Sequence, residues 1–195
     1  MSAAAPETAP RSGFLPRLQR FSTAMAGLER GVAGLCLAVV FVLLVLNIVT
    51  RAAGQALFWV DEAAITAMVW MAFFAALVGL QARSNIAVTL LADAVPIAVR
   101  LWLAVLVDLI LLLFVIALAV MVWRWFAPVA VWRAGGDLRA FAEQTFNFMY
   151  QEPTLTLGIR KVWPWLVLPM FVLGGLVHCV ANLDDSLAQA LAGED

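Results

Sequence analysis

Asp108, the neighbours Asp61 and Glu62, and the lone His178 are the residues of this chain best suited to chemistry, and each stands in or beside a long apolar run. Asp108 interrupts the run that begins at Ile97, and an ionisable group inside a membrane span is costly enough to mark a functional site by default. It reads as a transport or proton-relay acid, as the pore-lining acid of a small homo-oligomeric channel, or as half of a structural pair. Asp61 and Glu62 open another apolar run and suggest a cation site. Adjacent residues on a helix point about 100° apart, however, so one ion cannot easily take both. Acids are also favoured at the positive end of a helix dipole. Arg51 emerges on the same side as Glu62, and the two are expected to form a structural pair.

His178 is the only histidine, so a haem held by two imidazoles is excluded. It reads most simply as an interfacial polar residue, because a ligand or proton-shuttle role needs further groups beside it. Cys36 and Cys179 lie in separate apolar runs and behave as small hydrophobes. No nucleophile–base pair, metal cluster or phosphate loop argues for an enzyme, and no cofactor is expected.

The elements that position these residues are set by composition. Of 195 residues, 65% are hydrophobic and 13% charged, against about 45–50% and about 25% in a soluble domain. The chain therefore reads as an all-α integral membrane protein. A net charge of −1 gives no basic face for nucleic acid. Four runs are long enough to cross a hydrocarbon core of about 30 Å, at about 31–50, 60–81, 97–124 and 162–182. The second carries Ala64, Ala67, Ala72, Ala75, Ala76 and Gly79 in a stripe, which suits close helix packing in lipid. Trp123, Trp125, Trp132, Trp163 and Trp165 suggest interfacial belts, and Pro169 is expected to bend the last span.

Residues 1–13 read as a disordered start and 184–195 as an acidic tail, which leaves 14–183 as a four-helix membrane domain. Phe14, Leu18, Phe21, Met25 and Leu28 recur at steps of four and three, predicting a basic amphipathic helix lying in the headgroup plane before the first span. Leu138, Phe141, Thr145, Phe148 and Met149 predict a second one within the polar insertion at 127–161. If the N-terminus is cytoplasmic, six basic residues fall on each side of the membrane. The flank of the first span decides, with Arg11, Arg17, Arg20 and Arg30 against Arg51, so both termini are expected in the cytoplasm.

In chain order stand Asn47-x3-Arg51, Trp59-x2-Glu62, an apolar span, and Arg83-x-Asn85-Ile86-x-Val88-x-Leu90-Leu91-x-Asp93-x2-Pro96. Together these resemble the small membrane subunit, DctQ type, of the tripartite ATP-independent periplasmic (TRAP) transporters, over about residues 14–183. The chain departs from the family in having Asn85 where His is frequent, and in the length of its 127–161 insertion. The resemblance implies a non-catalytic scaffold in the bacterial inner membrane, with Asn47, Arg51, Trp59, Glu62, Arg83, Asn85 and Asp93 as a structural or subunit-interface motif. It further implies a large multi-span partner that carries sodium and substrate, and a periplasmic binding protein that delivers an organic acid. The chain would then brace the static part of an elevator-type transporter, anchored by membrane lipid. The competing readings are a freestanding small channel or exporter and a redox membrane protein. The latter calls for paired histidines or a cysteine pair, which the sequence lacks.

Overall fold

The breaks between helices fall where the backbone cannot continue one. In the computed structural model, which describes residues 13–83 and 96–193, four long helices run back and forth: α1 (Pro16–Ala52), α2 (Phe58–Ala82), α3 (Ile97–Phe126) and α7 (Val167–Ala192). All four are long and apolar enough to span a membrane. Between α3 and α7 lie the short α4 (Pro128–Arg133), α5 (Leu138–Thr145) and α6 (Val162–Trp165). Arg83, Ala127 and Phe146 take left-handed backbone angles at the ends of α2, α3 and α5, the usual way for a chain to leave a helix sharply.

α7 is the central element. It packs against α3, α2 and α1, while α1 packs chiefly on α2. Two adjacent glycines allow this. A Cβ on Gly174 would lie 2.8 Å from Glu29 Oε1 of α1 and 2.9 Å from Leu77 of α2, and one on Gly175 would lie 3.3 Å from Val115 of α3. Only a residue without a side chain lets the three neighbours close in at this level, where van der Waals packing and not burial from water drives association. The apolar packing divides in two, one group around Phe74, Leu77 and Val167, the other around Val122, Phe126, Met149 and Val172.

Several expectations change. The predicted surface helix at 14–28 and the first span are one uninterrupted helix of 37 residues, about 55 Å long at 1.5 Å per residue. No proline interrupts it after its first turn, and its buried polar residues Gln19, Ser22 and Glu29 have partners. Its apolar residues Phe21 and Leu28 face outward, while Gln19, Ser22, Ala26 and Glu29 are its buried set. The acidic tail also begins as helix, because α7 runs on to Ala192 with Asp185, Ser186, Ala188 and Ala190 buried. The second surface helix stops at Thr145, so Phe148 and Met149 lie beyond it, and Met149 joins the α3–α7 packing instead. The irregularity expected at Pro169 falls one turn earlier, at Leu166 between α6 and α7. Pro169 has no N–H to give the carbonyl four residues back, at Trp165. The disordered start expected at 1–13 lies outside the described residues except for Gly13.

The small-residue stripe of α2 is split. Ala64 is buried, but Ala72, Ala75 and Ala76 are exposed on its outer side.

Candidate functional site

The polar residues of the described segments collect at the two ends of the bundle. At the end where α2 finishes, Arg83 reaches across to α3 and α7. Its guanidinium Nη2 lies 2.9 Å from Asp108 Oδ2 and donates to Ser186 Oγ at 2.8 Å and to the Asn182 carbonyl. Ser186 Oγ donates to the same Asp108 oxygen, and Asp185 stands 3.7 Å from Arg83 Nη1. Asn182 Nδ2 caps α2 by donating to the Leu80 carbonyl at 2.8 Å, one of the orphan acceptors that every helix C-terminus leaves. Asp108 is buried at 5% exposure. An ion pair explains why a carboxylate is tolerated there.

One helical step away, His178 is fully buried between two residues of α1. Its Nδ1 lies 2.8 Å from Ser22 Oγ and its Nε2 lies 2.8 Å from Glu29 Oε2. The reading of His178 as an interfacial residue is thus corrected. Gln19 Nε2 donates to the Ala181 carbonyl and Asp184 Oδ2 accepts from Leu15 N. On α7 the polar positions 178, 182, 185 and 186 recur at the helical step. They face the stripe of Gln19, Ser22 and Glu29 on one side and Arg83 and Asp108 on the other.

At the opposite end, Asp61 joins α2 to α1. Its Oδ2 lies 2.8 Å from Arg51 Nη2, its Oδ1 accepts from Asn47 Nδ2, and Arg51 Nε donates to Asn47 Oδ1 at 2.7 Å. The expected Arg51–Glu62 pair is therefore wrong, and the partner of Arg51 is Asp61. Position on the helix gives the reason. Glu62 is turned about 100° from Asp61, away from α1 and toward the insertion. There its carboxylate accepts the backbone N–H groups of Leu155, Thr156 and Leu157 at 3.1, 2.6 and 2.9 Å, and the Thr156 hydroxyl at 2.6 Å. Trp59 is 40% exposed at the start of α2. The other anchors of the insertion are Trp70 Nε1 donating to the Pro164 carbonyl, Asn147 Nδ2 to the Trp125 carbonyl and the Tyr150 hydroxyl to the Phe126 carbonyl, at 2.8, 2.6 and 2.6 Å. The last two cap α3.

The structure thus brings together Arg83 and Asp108, which sequence reasoning treated separately, and Asn47 with Arg51, which it grouped. Asn85 and Asp93 lie outside the described residues. Among the described residues no group of His, Cys, Asp and Glu could hold a metal ion. Sequence reasoning missed Gln19, Ser22, Glu29, Asn182, Asp185 and Ser186. Their signal was polar residues returning to one face of each of two helices, Gln19, Ser22 and Glu29 at steps of three and seven, and Asn182, Asp185 and Ser186 at steps of three and four after His178 and Asn182.

Chemically, these clusters hold helix to helix, because Arg83, Asp108, His178, Glu29, Asp61 and Glu62 all bond to another element of the same chain. This defines the class: a multi-pass membrane protein whose polar groups tie its own spans together. The chain belongs to the DctQ component of the tripartite ATP-independent periplasmic transporters, whose family model matches residues 40–188. It is accordingly the small membrane component of such a transporter, a multi-pass protein of the bacterial inner membrane. No curated protein and no solved structure matches the chain.

Proposed function

We propose that this chain is the static brace of a sodium-coupled TRAP transporter that imports an organic acid. It holds the fixed part of the large transport subunit in the bilayer while the mobile part moves, and both of its termini face the cytoplasm. The observation that carries this reading is the pairing of ties at both ends: Arg83–Asp108 and Glu29–His178 at one, Arg51–Asp61 and the Glu62 clamp at the other. Four spans pinned at both faces resist sliding past one another, as a stationary part must. The wide uncovered apolar surface of α1, with Leu35, Phe41, Val42 and Ile48 all exposed, supports broad contact with lipid and partner. In this reading a periplasmic binding protein delivers the substrate at the Trp59 end, and Asp108 has no part in coupling.

The test is vesicle reconstitution. The chain together with its large subunit and binding protein is expected to give sodium-dependent uptake of a carboxylate solute, and the chain alone none. Uptake by the chain alone would overturn the proposal.

A further inference from the structure

At the Trp59 end, a groove of about 640 Å³ opens between the last turn of α3, the segment after α5 and the start of α6. Its apolar walls are Trp125, Phe141, Phe146, Phe148 and Trp165. Its polar lining is almost entirely committed. The Thr145 hydroxyl donates to the Phe141 carbonyl, Asn147 donates to the Trp125 carbonyl, and Lys161 Nζ is paired with Glu152 at 2.7 Å. Arg124 is the exception: its guanidinium has no hydrogen-bond or ionic partner among the described residues. With Lys161 and Glu152 cancelling, the groove carries one uncompensated positive charge among aromatic rings.

We propose that this groove is a binding site for an anionic phospholipid of the bilayer, with Arg124 on the phosphate and the aromatic walls against the glycerol and upper acyl chains. Charge complementarity and depth select this occupant. A phosphodiester carries a single negative charge, matching the single excess cation. An arginine offers it two parallel N–H donors. The groove lies where a span ends among tryptophans, which sit at headgroup level. A lipid with no amine keeps its charge unbalanced, so the site favours phosphatidylglycerol over zwitterionic lipids. The expected preference is about fivefold, following from the contribution of one basic residue at an anionic surface.

The experiment uses the full chain in the assembly in which it purifies, placed in nanodiscs of phosphatidylcholine with a tenth part of phosphatidylglycerol. Retained lipids are counted by native mass spectrometry after gentle release. Wild type is expected to retain phosphatidylglycerol about fivefold above its share in the disc. Arg124→Gln should fall to the bulk ratio, and Arg124→Lys should keep most of the enrichment. Arg133→Gln, another exposed cation outside the groove, should leave it unchanged. Thermal unfolding of each variant separates lost binding from lost folding. Retention at the bulk ratio by wild type, or equal loss in Arg133→Gln, would overturn the proposal. So would displacement of the lipid by millimolar inorganic phosphate or a soluble dicarboxylate, since the groove would then be a site for soluble anions.

Discussion

Asp108 and His178 are two buried ionisable residues with one explanation. Each is held by an oppositely charged or hydrogen-bonding group from another helix, Asp108 by Arg83 and Ser186, His178 by Glu29 and Ser22. Side chains held in this way tie one helix of the bundle to the next. Asp108→Asn is therefore expected to leave the rate and coupling of uptake by the assembled transporter within a factor of about two. It should lower thermal stability by about 2 kcal/mol, the scale of a hydrogen bond to a charged group. Loss of coupling with unchanged stability would restore the relay reading. For the other pair, His178→Ala leaves the Glu29 carboxylate buried without its partner and should cost about 3 kcal/mol or more. Replacing Glu29 and His178 together by Leu removes both polar groups and should recover most of that loss. Ser22 can then turn its hydroxyl to the carbonyl four residues back. Unfolding midpoints of the single and double variants in one detergent check the cycle.

At the scale of elements, the spans were legible because an apolar run of sufficient length has few other uses. The ties between them were not. Ser22 and His178 lie 156 residues apart, Arg83 and Ser186 lie 103 apart, and no local pattern says which polar stripe meets which. The error over Arg51 shows the limit at short range. Asp61 and Glu62 are equally acidic and adjacent, and only the angular placement of α1 against α2 decides between them. The stripe at 14–28 was read from its apolar side, although in lipid the apolar side can face outward and the polar side inward. That reversal carries a prediction. Deleting residues 1–28 removes Gln19 and Ser22 from α7, and should weaken the stability of the transporter complex more than its substrate affinity. A truncated complex of full stability would show that the N-terminal part of α1 is dispensable. The Gly174 crossing is tested in the same way. Gly174→Val places methyl groups against Glu29 and Leu77 and should cost about 2 kcal/mol as an overpacked contact, seen as a lower unfolding midpoint.

For the whole molecule, the question is what keeps the insertion in place, since it joins α3 to α7 and, in the proposed orientation, stands at the face where a delivering protein would arrive. Three sets of ties, from two helices, hold it. Glu62 of α2 collects the amides of Leu155 to Leu157, Trp70 of α2 binds the Pro164 carbonyl, and the carbonyls at the end of α3 accept from Asn147 and Tyr150. The Glu62 carboxylate is the one member that serves several donors at once, so its removal should loosen the loop without unfolding the bundle. In Glu62→Ala, the amides of Leu155, Thr156 and Leu157 lose their only acceptor among the described residues and should exchange with solvent much faster. Those of α2 and α7 should exchange as before. Glu62→Gln should fall between, because its amide oxygen still accepts but carries no charge. If the loop docks the binding protein, uptake at low binding-protein concentration should fall in Glu62→Ala and recover at saturation, since a disordered docking surface weakens association and leaves the transport step alone. Hydrogen exchange that spreads through α2 and α7 would instead make Glu62 part of the bundle's own stability, and the insertion would be one more strut of the brace.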